Sequence, residues 1–147
     1  MLAKTIKYTD YDGNDRSEVF YFNFTPNEAS TFMFKWAPKE DFQDMINRLM
    51  QNNDRDVMWN LFTDLILTSV GEKSSDGRRF IKKAPDGTPF SEIFSQMPAY
   101  DELLEELVNT PGTIREFMTN LLPKKYQGDA ERRFDEVEKT GSLSSAV

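Results

Sequence analysis

Phe20, Phe22 and Phe24 recur at every second residue, with Val19 and Tyr21 between them, just after a dense turn cluster, Asp10-Tyr11-Asp12-Gly13-Asn14-Asp15. On the other side of that cluster Thr5, Ile6, Lys7, Tyr8 and Thr9 are strand formers. Period-two alternation flanking an Asp-Gly turn specifies a β-hairpin. A lone hairpin is marginal in water. Its aromatic face therefore commits the rest of the chain to supplying a surface to pack on.

Beyond the hairpin, most of the chain has helical periodicity. Thr25-Pro26 with Glu28 carries the marks of a helix start: a capping hydroxyl, a proline at the first helical position and an acid three residues after the cap. The next stretch, Thr31-Phe32-Met33-Phe34-Lys35-Trp36, leans toward strand, and Pro38 stops it. Residues 25–38 thus fit either a short helix or a strand. From Lys39 to Gln51, Phe42, Met45, Ile46, Leu49 and Met50 form the stripe of an amphipathic helix. Asn52-Asn53-Asp54 breaks it and caps the next helix, Arg55 to Val70, which Gly71 is placed to end. After a charged turn at 72–79, the apolar pair Phe80-Ile81 and a second loop at 84–89, three short helices are expected. They are marked by Phe90, Ile93, Phe94 and Met97, by Tyr100, Leu103, Leu104, Leu107 and Val108, and by Ile114, Phe117, Met118, Leu121 and Leu122, with Pro123 as a stop. The expected fold is α+β and mainly α, with an N-terminal β-hairpin packed on a bundle of about five helices, all within residues 1–123. Residues 124–147 are charged and poor in large apolar side chains, and are expected to form a mobile tail.

Chemistry is constrained by what is missing. The 147 residues include no Cys and no His, which removes disulfides, thiolate nucleophiles, the commonest general base and the commonest metal ligand. Net charge is −7, a field that repels phosphate backbones, so nucleic acid is not an expected partner. The start of the chain has no signal-peptide h-region, and no run approaches the ~20 apolar residues of a membrane span. A cytoplasmic protein without a cofactor or a membrane partner is expected.

Four clusters invite a function and are better explained by structure. Asp10, Asp12, Asn14 and Asp15 look like calcium ligands, but glycine falls at the fourth position of the loop and Tyr21 at the twelfth, where an EF-hand needs glycine sixth and glutamate twelfth. A hairpin turn accounts for them. Ser75-Asp76-Gly77-Arg78-Arg79 lacks the glycine pattern of a phosphate loop and fits a solvated turn. Asp101, Glu102, Glu105 and Glu106 alternate with leucines as the wet face of a helix does. Met33, Met45, Met50, Met58, Met97 and Met118 suit either core filling or an adaptable binding surface. The aromatic stretch Phe32, Phe34 and Trp36, set between two breakers, is the candidate partner-binding surface.

The order of several segments resembles the tail assembly chaperones of siphophages that infect Gram-positive hosts. The opening Lys4-Thr5-Ile6-Lys7-Tyr8-Thr9-Asp10-Tyr11-Asp12-Gly13-Asn14, then Phe20-Tyr21-Phe22-Asn23, carries the first part. Phe62, Asp64-Leu65-Ile66-Leu67, Gly71-Glu72-Lys73-Ser74 and Asp76-Gly77-Arg78-Arg79-Phe80-Ile81-Lys82 carry the most specific part, with Phe94-Ser95-Gln96 and Ala99-Tyr100 after them. The resemblance covers residues 1–123. It implies a non-enzymatic protein of the host bacterial cytoplasm, absent from the mature virion. Such a protein binds the tail tape measure protein and keeps it soluble until the tail tube polymerises around it. The tail tube protein and a second copy of the chain are left open as further partners. The competing readings are a structural tail or head–tail joining protein of the virion, and a metal-dependent enzyme built on carboxylates.

Overall fold

A computed structural model describes residues 1–122. The elements run β1 (Leu2–Thr9), β2 (Asp15–Phe22), α1 (Pro26–Trp36), α2 (Phe42–Gln51), α3 (Arg55–Ser69), β3 (Val70–Lys73), β4 (Phe80–Ile81), α4 (Phe90–Ser95), α5 (Pro98–Asn109) and α6 (Pro111–Leu121). The class is α+β as expected. The hairpin, however, is half of a four-stranded antiparallel sheet of order β1-β2-β3-β4, and six helices rather than five are present among the described residues. The expected tail, 124–147, and the Pro123 stop lie outside the described residues.

The hairpin forms for the reason its sequence suggests. The Asp10 carboxylate accepts the backbone N–H groups of Asp12 (3.0 Å) and Asn14 (2.9 Å), and Gly13 takes a left-handed φ of +83°. The register pairs Leu2 with Phe22 and Thr9 with Asp15. Leu2, Ile6, Tyr8, Phe20 and Phe22 share the face that meets α4, α5 and α6, where the Phe22 ring lies 5.1 Å from Phe117 and 5.9 Å from Phe94, centroid to centroid. Lys4 adds a polar tie from β1, reaching Glu106 of α5 (3.2 Å) and Glu116 of α6 (3.4 Å). Burial works against its charge, but the hydrogen bond to Glu106 and the field of both carboxylates outweigh that and raise its pKa.

The ambiguity over residues 25–38 resolves in favour of a helix, Pro26–Trp36. Thr25 and Glu28 close a reciprocal capping box, side chain to backbone in both directions, with Pro26 at the first helical position. In α2 the start is Phe42 rather than Lys39, because the Asp41 side chain caps the Asp44 N–H. Asn53, at φ 50°, supplies the left-handed residue that turns the chain into α3. Asp54 occupies the cap position of α3 without a side-chain cap bond.

Gly71 does not end α3. The helix stops at Ser69, Val70 is extended, and the chain runs directly into β3. Glycine is required there for a different reason: a Cβ would meet the Phe80 ring at 2.6 Å and overlap the Ile81 carbonyl. The same junction is clipped by Lys82. Its ammonium donates to the carbonyls of Asn23 (3.1 Å) and Thr68 (2.6 Å), lies 3.4 Å from Glu28, and faces the rings of Phe24 and Phe80. Burial lowers its pKa, and Glu28 offsets part of that effect.

Candidate partner-binding groove

Strand β3 pairs with β2 through two residues alone, Tyr21 with Gly71 and Phe22 with Val70. The next two, Glu72 and Lys73, pair instead with Ile81 and Phe80 of β4. The sheet forks at this point. Two turns flank β4. One is closed by Ser74 N–H to the Arg79 carbonyl (2.8 Å) around Gly77 at φ +75°, the other by Ala84 N–H to the Thr88 carbonyl (2.8 Å). Phe90 N–H to the Lys82 carbonyl (2.8 Å) then seats α4 below the opening.

The fork leaves a solvent-open groove of about 460 Å³. Phe20, Phe90, Ile93, Phe94 and Met97 give it an apolar floor, and Val19, Tyr21, Val70 and Gly71 complete its apolar lining. Phe20 is held by ring contacts to Phe94 (5.1 Å) and Tyr8 (6.4 Å). Glu18, Glu72 and Lys73 are the charged residues of the groove. Glu18 is positioned from the opposite strand, since the Tyr8 hydroxyl donates to its carboxylate. That bond, with burial, raises the Tyr8 pKa above its ordinary value.

The aromatic stretch Phe32, Phe34 and Trp36 does not make a surface. In α1, Phe32 and Trp36 are one turn apart and Phe34 lies on the opposite side. Phe32 is buried, with ring contacts to Phe24 (5.3 Å), Phe42 (5.9 Å) and Trp36 (6.5 Å). Trp36 is half-buried, and its indole N–H donates to Asp64 of α3. Phe34 alone stays accessible, at 70% exposure. Spacing between breakers is the wrong guide here, because helical geometry divides the three residues between core and solvent.

The other clusters have the structural explanations their sequences suggest. Asp10 is occupied by its own turn and by Arg16 (2.6 Å). Asp76 accepts from the Ser74 hydroxyl (2.7 Å) and the Arg78 N–H (3.0 Å). Asp101, Glu102 and Glu105 are exposed while Leu103, Leu104 and Leu107 are buried. Met45 and Met118 fill core, and Met33, Met50, Met58 and Met97 are half-buried against it, the last in the groove. Among the described residues no group of three or more carboxylates is placed to hold a metal ion, and no helix is long and apolar enough to cross a membrane.

The chemistry available to this arrangement is apolar capture beside carboxylates. Such a surface fits the one comparison that matches: the model of a family described as phage tail assembly chaperone, over residues 1–145. The chain belongs to that family. The match extends beyond residues 1–123, where the sequence resemblance to these chaperones lies. No curated protein and no solved structure matches the chain. In this chaperone the groove residues Phe20, Phe90, Ile93 and Met97 each look like ordinary core stripe in the sequence. Only the departure of β3 from β2 exposes them together.

Proposed function

We propose that this chain is a non-catalytic chaperone that binds the tail tape measure protein of a siphophage. It keeps that protein soluble in the host cytoplasm until the tail tube polymerises around it. Membership of the tail assembly chaperone family supports the general role. The observation that carries the finer reading is the apolar groove held open between β2, β3 and α4 in an acidic domain. A long tail protein awaiting assembly exposes apolar side chains, and reversible cover for them requires apolar surface that stays wet in the free chaperone.

The test is co-expression with the tape measure protein. The wild-type chain is expected to bring it into the soluble fraction and to co-elute with it. Met97→Glu places a carboxylate on the groove floor at a half-buried position, and is expected to leave the tape measure protein insoluble while the chaperone still melts cooperatively. Phe34→Ser tests the accessible aromatic of α1 in parallel. If the wild-type chain has no effect and is found at stoichiometric levels in purified particles, the protein is a structural tail or head–tail joining component instead.

A further inference from the structure

The fork leaves the first part of one edge of β2, before Tyr21, without a neighbouring strand. Asn23 N–H donates to the Ser69 carbonyl (2.8 Å) on the β3 side, whereas Asp10 N–H donates to the Asn14 carbonyl (2.9 Å) within the hairpin. Backbone groups alternate in direction along a strand. Odd-numbered residues of β2 therefore direct N–H and C=O toward β3, and even-numbered ones toward β1. Tyr21 is matched by Gly71. Ser17 and Val19 have no strand partner on that side among the described residues, and Val19 is 49% exposed. This open backbone edge runs beside the apolar floor of Phe20, Ile93 and Met97.

We infer that the groove takes an extended segment of the partner as an added strand on the free edge of β2. The segment is apolar at alternate positions, with lysine or arginine between. This inference rests on the tape measure reading and names its binding mode. Three observations select the occupant. Unpaired N–H and C=O groups at Ser17 and Val19 are complemented by extended backbone, whereas a helix satisfies its own. A floor on one face of the edge accepts every second side chain of such a strand. Glu18, on the floor face with Phe20, is already engaged by Tyr8 and Arg16 (4.0 Å), so the charge preference comes from the domain as a whole. Residues 123–147 contain five cationic and five acidic side chains, so the whole net charge of −7 belongs to the described domain. Cationic residues in the incoming strand are thus favoured over acidic ones.

The probe is the heptapeptide acetyl-Val-Lys-Val-Lys-Val-Lys-Val-amide, titrated into the ¹⁵N-labelled full chain. Amide signals of Ser17 and Val19 are expected to shift, and at saturation to exchange with deuterium about tenfold more slowly, as strand pairing protects them. Val19→Pro is expected to abolish binding without disturbing the hairpin, because the N–H it removes faces away from β1. Ser17→Pro is the second variant. Glutamate in place of the peptide's lysines is expected to weaken binding about tenfold at low salt. Unchanged Ser17 and Val19 signals overturn the proposal. Protection of the same amides without peptide, together with a dimer in sedimentation, overturns it in favour of a second copy as occupant. The tape measure reading fails separately. If Val19→Pro still solubilises the tape measure protein as wild type does, strand addition is wrong and the chaperone role stands. If the wild-type chain does not solubilise it but the peptide protects both amides, the site stands and serves another partner.

Discussion

The indole N–H of Trp36 donates to the Asp64 carboxylate at 2.6 Å, and Lys35 reaches the same oxygen at 3.0 Å. This pair fixes the end of α1 to the middle of α3, and it makes a structural residue of an aromatic that in sequence resembles docking surface. Trp36→Phe should keep the packing and lose the bond, at a cost of about 1.5–3 kcal/mol for a hydrogen bond to a charged group. Phe32→Ala should cost about 3–5 kcal/mol, the range for removing a buried aromatic. Phe34→Ser, at 70% exposure, should stay within about 0.5 kcal/mol of wild type. Urea denaturation of the three variants checks the ordering. Equal losses for Phe32 and Phe34 would mean that the helix presents a different face to the core.

Gly71 is the residue on which the close approach of β3 and β4 depends. A methyl group at this position meets the Phe80 ring and the Ile81 carbonyl, and the carbonyl belongs to backbone that cannot rotate aside. Gly71→Ala should destabilise by about 1–3 kcal/mol through overpacking. Pairing Gly71→Ala with Phe80→Leu should recover part of the loss, since the smaller side chain relieves the ring contact but not the carbonyl. Chemical denaturation of the two variants reads this directly. Full recovery would show that the ring is the whole obstacle.

Element length and periodicity decide how much of this architecture is legible in the sequence. The stripes Phe42, Met45, Ile46, Leu49 and Ile114, Phe117, Met118, Leu121 span enough turns to declare α2 and α6, and all eight residues are buried. The turn clusters at Asp10–Asn14 and Asp76–Gly77 are equally plain, because positive φ at Gly13 and Gly77 has a local chemical cause. Strands β3 and β4, with four and two residues, are too short for alternation to register. Their hint is indirect: Val70-Gly71 and Phe80-Ile81 flank a turn cluster as hairpin strands do. In α1 the capping box argues for helix and the aromatics for strand. Packing of Phe32 against Phe24 and Phe42 decides it, and that is tertiary information. The groove is illegible for the same reason, since it exists through the divergence of two strands and not through any one segment.

Acid should weaken the fold through its turns. The Asp10 carboxyl is held below its usual pKa by Arg16 and then by the Asn14 N–H, Asp76 by the Ser74 hydroxyl and then the Arg78 N–H, and Asp86 by the Thr88 N–H. A folded pKa below the unfolded one gives stability that is present above the unfolded value, near ~3.9 for aspartate, and lost as pH falls through the folded value. Relief of repulsion among the excess carboxylates acts in the opposite direction across the whole chain. The informative quantity is therefore the gap between wild type and Asp10→Asn, which leaves that background nearly unchanged. Measured by urea midpoints, the gap should be largest near pH ~6 and close as the pH approaches ~2, below the usual aspartate range. A gap independent of pH would show that the asparagine differs by geometry rather than by charge.

Gln43 and Asn47 are buried on one face of α2. Gln43 Nε2 donates to Asn47 Oδ1 (3.1 Å), while Gln43 Oε1 and Asn47 Nδ2 have no partner among the described residues. Each half of the pair keeps the other from being wholly orphaned, so the two substitutions should not add. Asn47→Leu alone leaves the Gln43 amide buried without a partner and should cost about 1–3 kcal/mol. The double change Gln43→Met with Asn47→Leu removes every unpaired group in similar volume, and should be neutral or more stable than wild type. A double-mutant cycle measures the coupling. If the double variant is as unstable as the sum of the singles, the two amides are not coupled and each contributes through its own surroundings. If it is stable but no longer solubilises the tape measure protein, the polar pair serves α2 in binding rather than in folding.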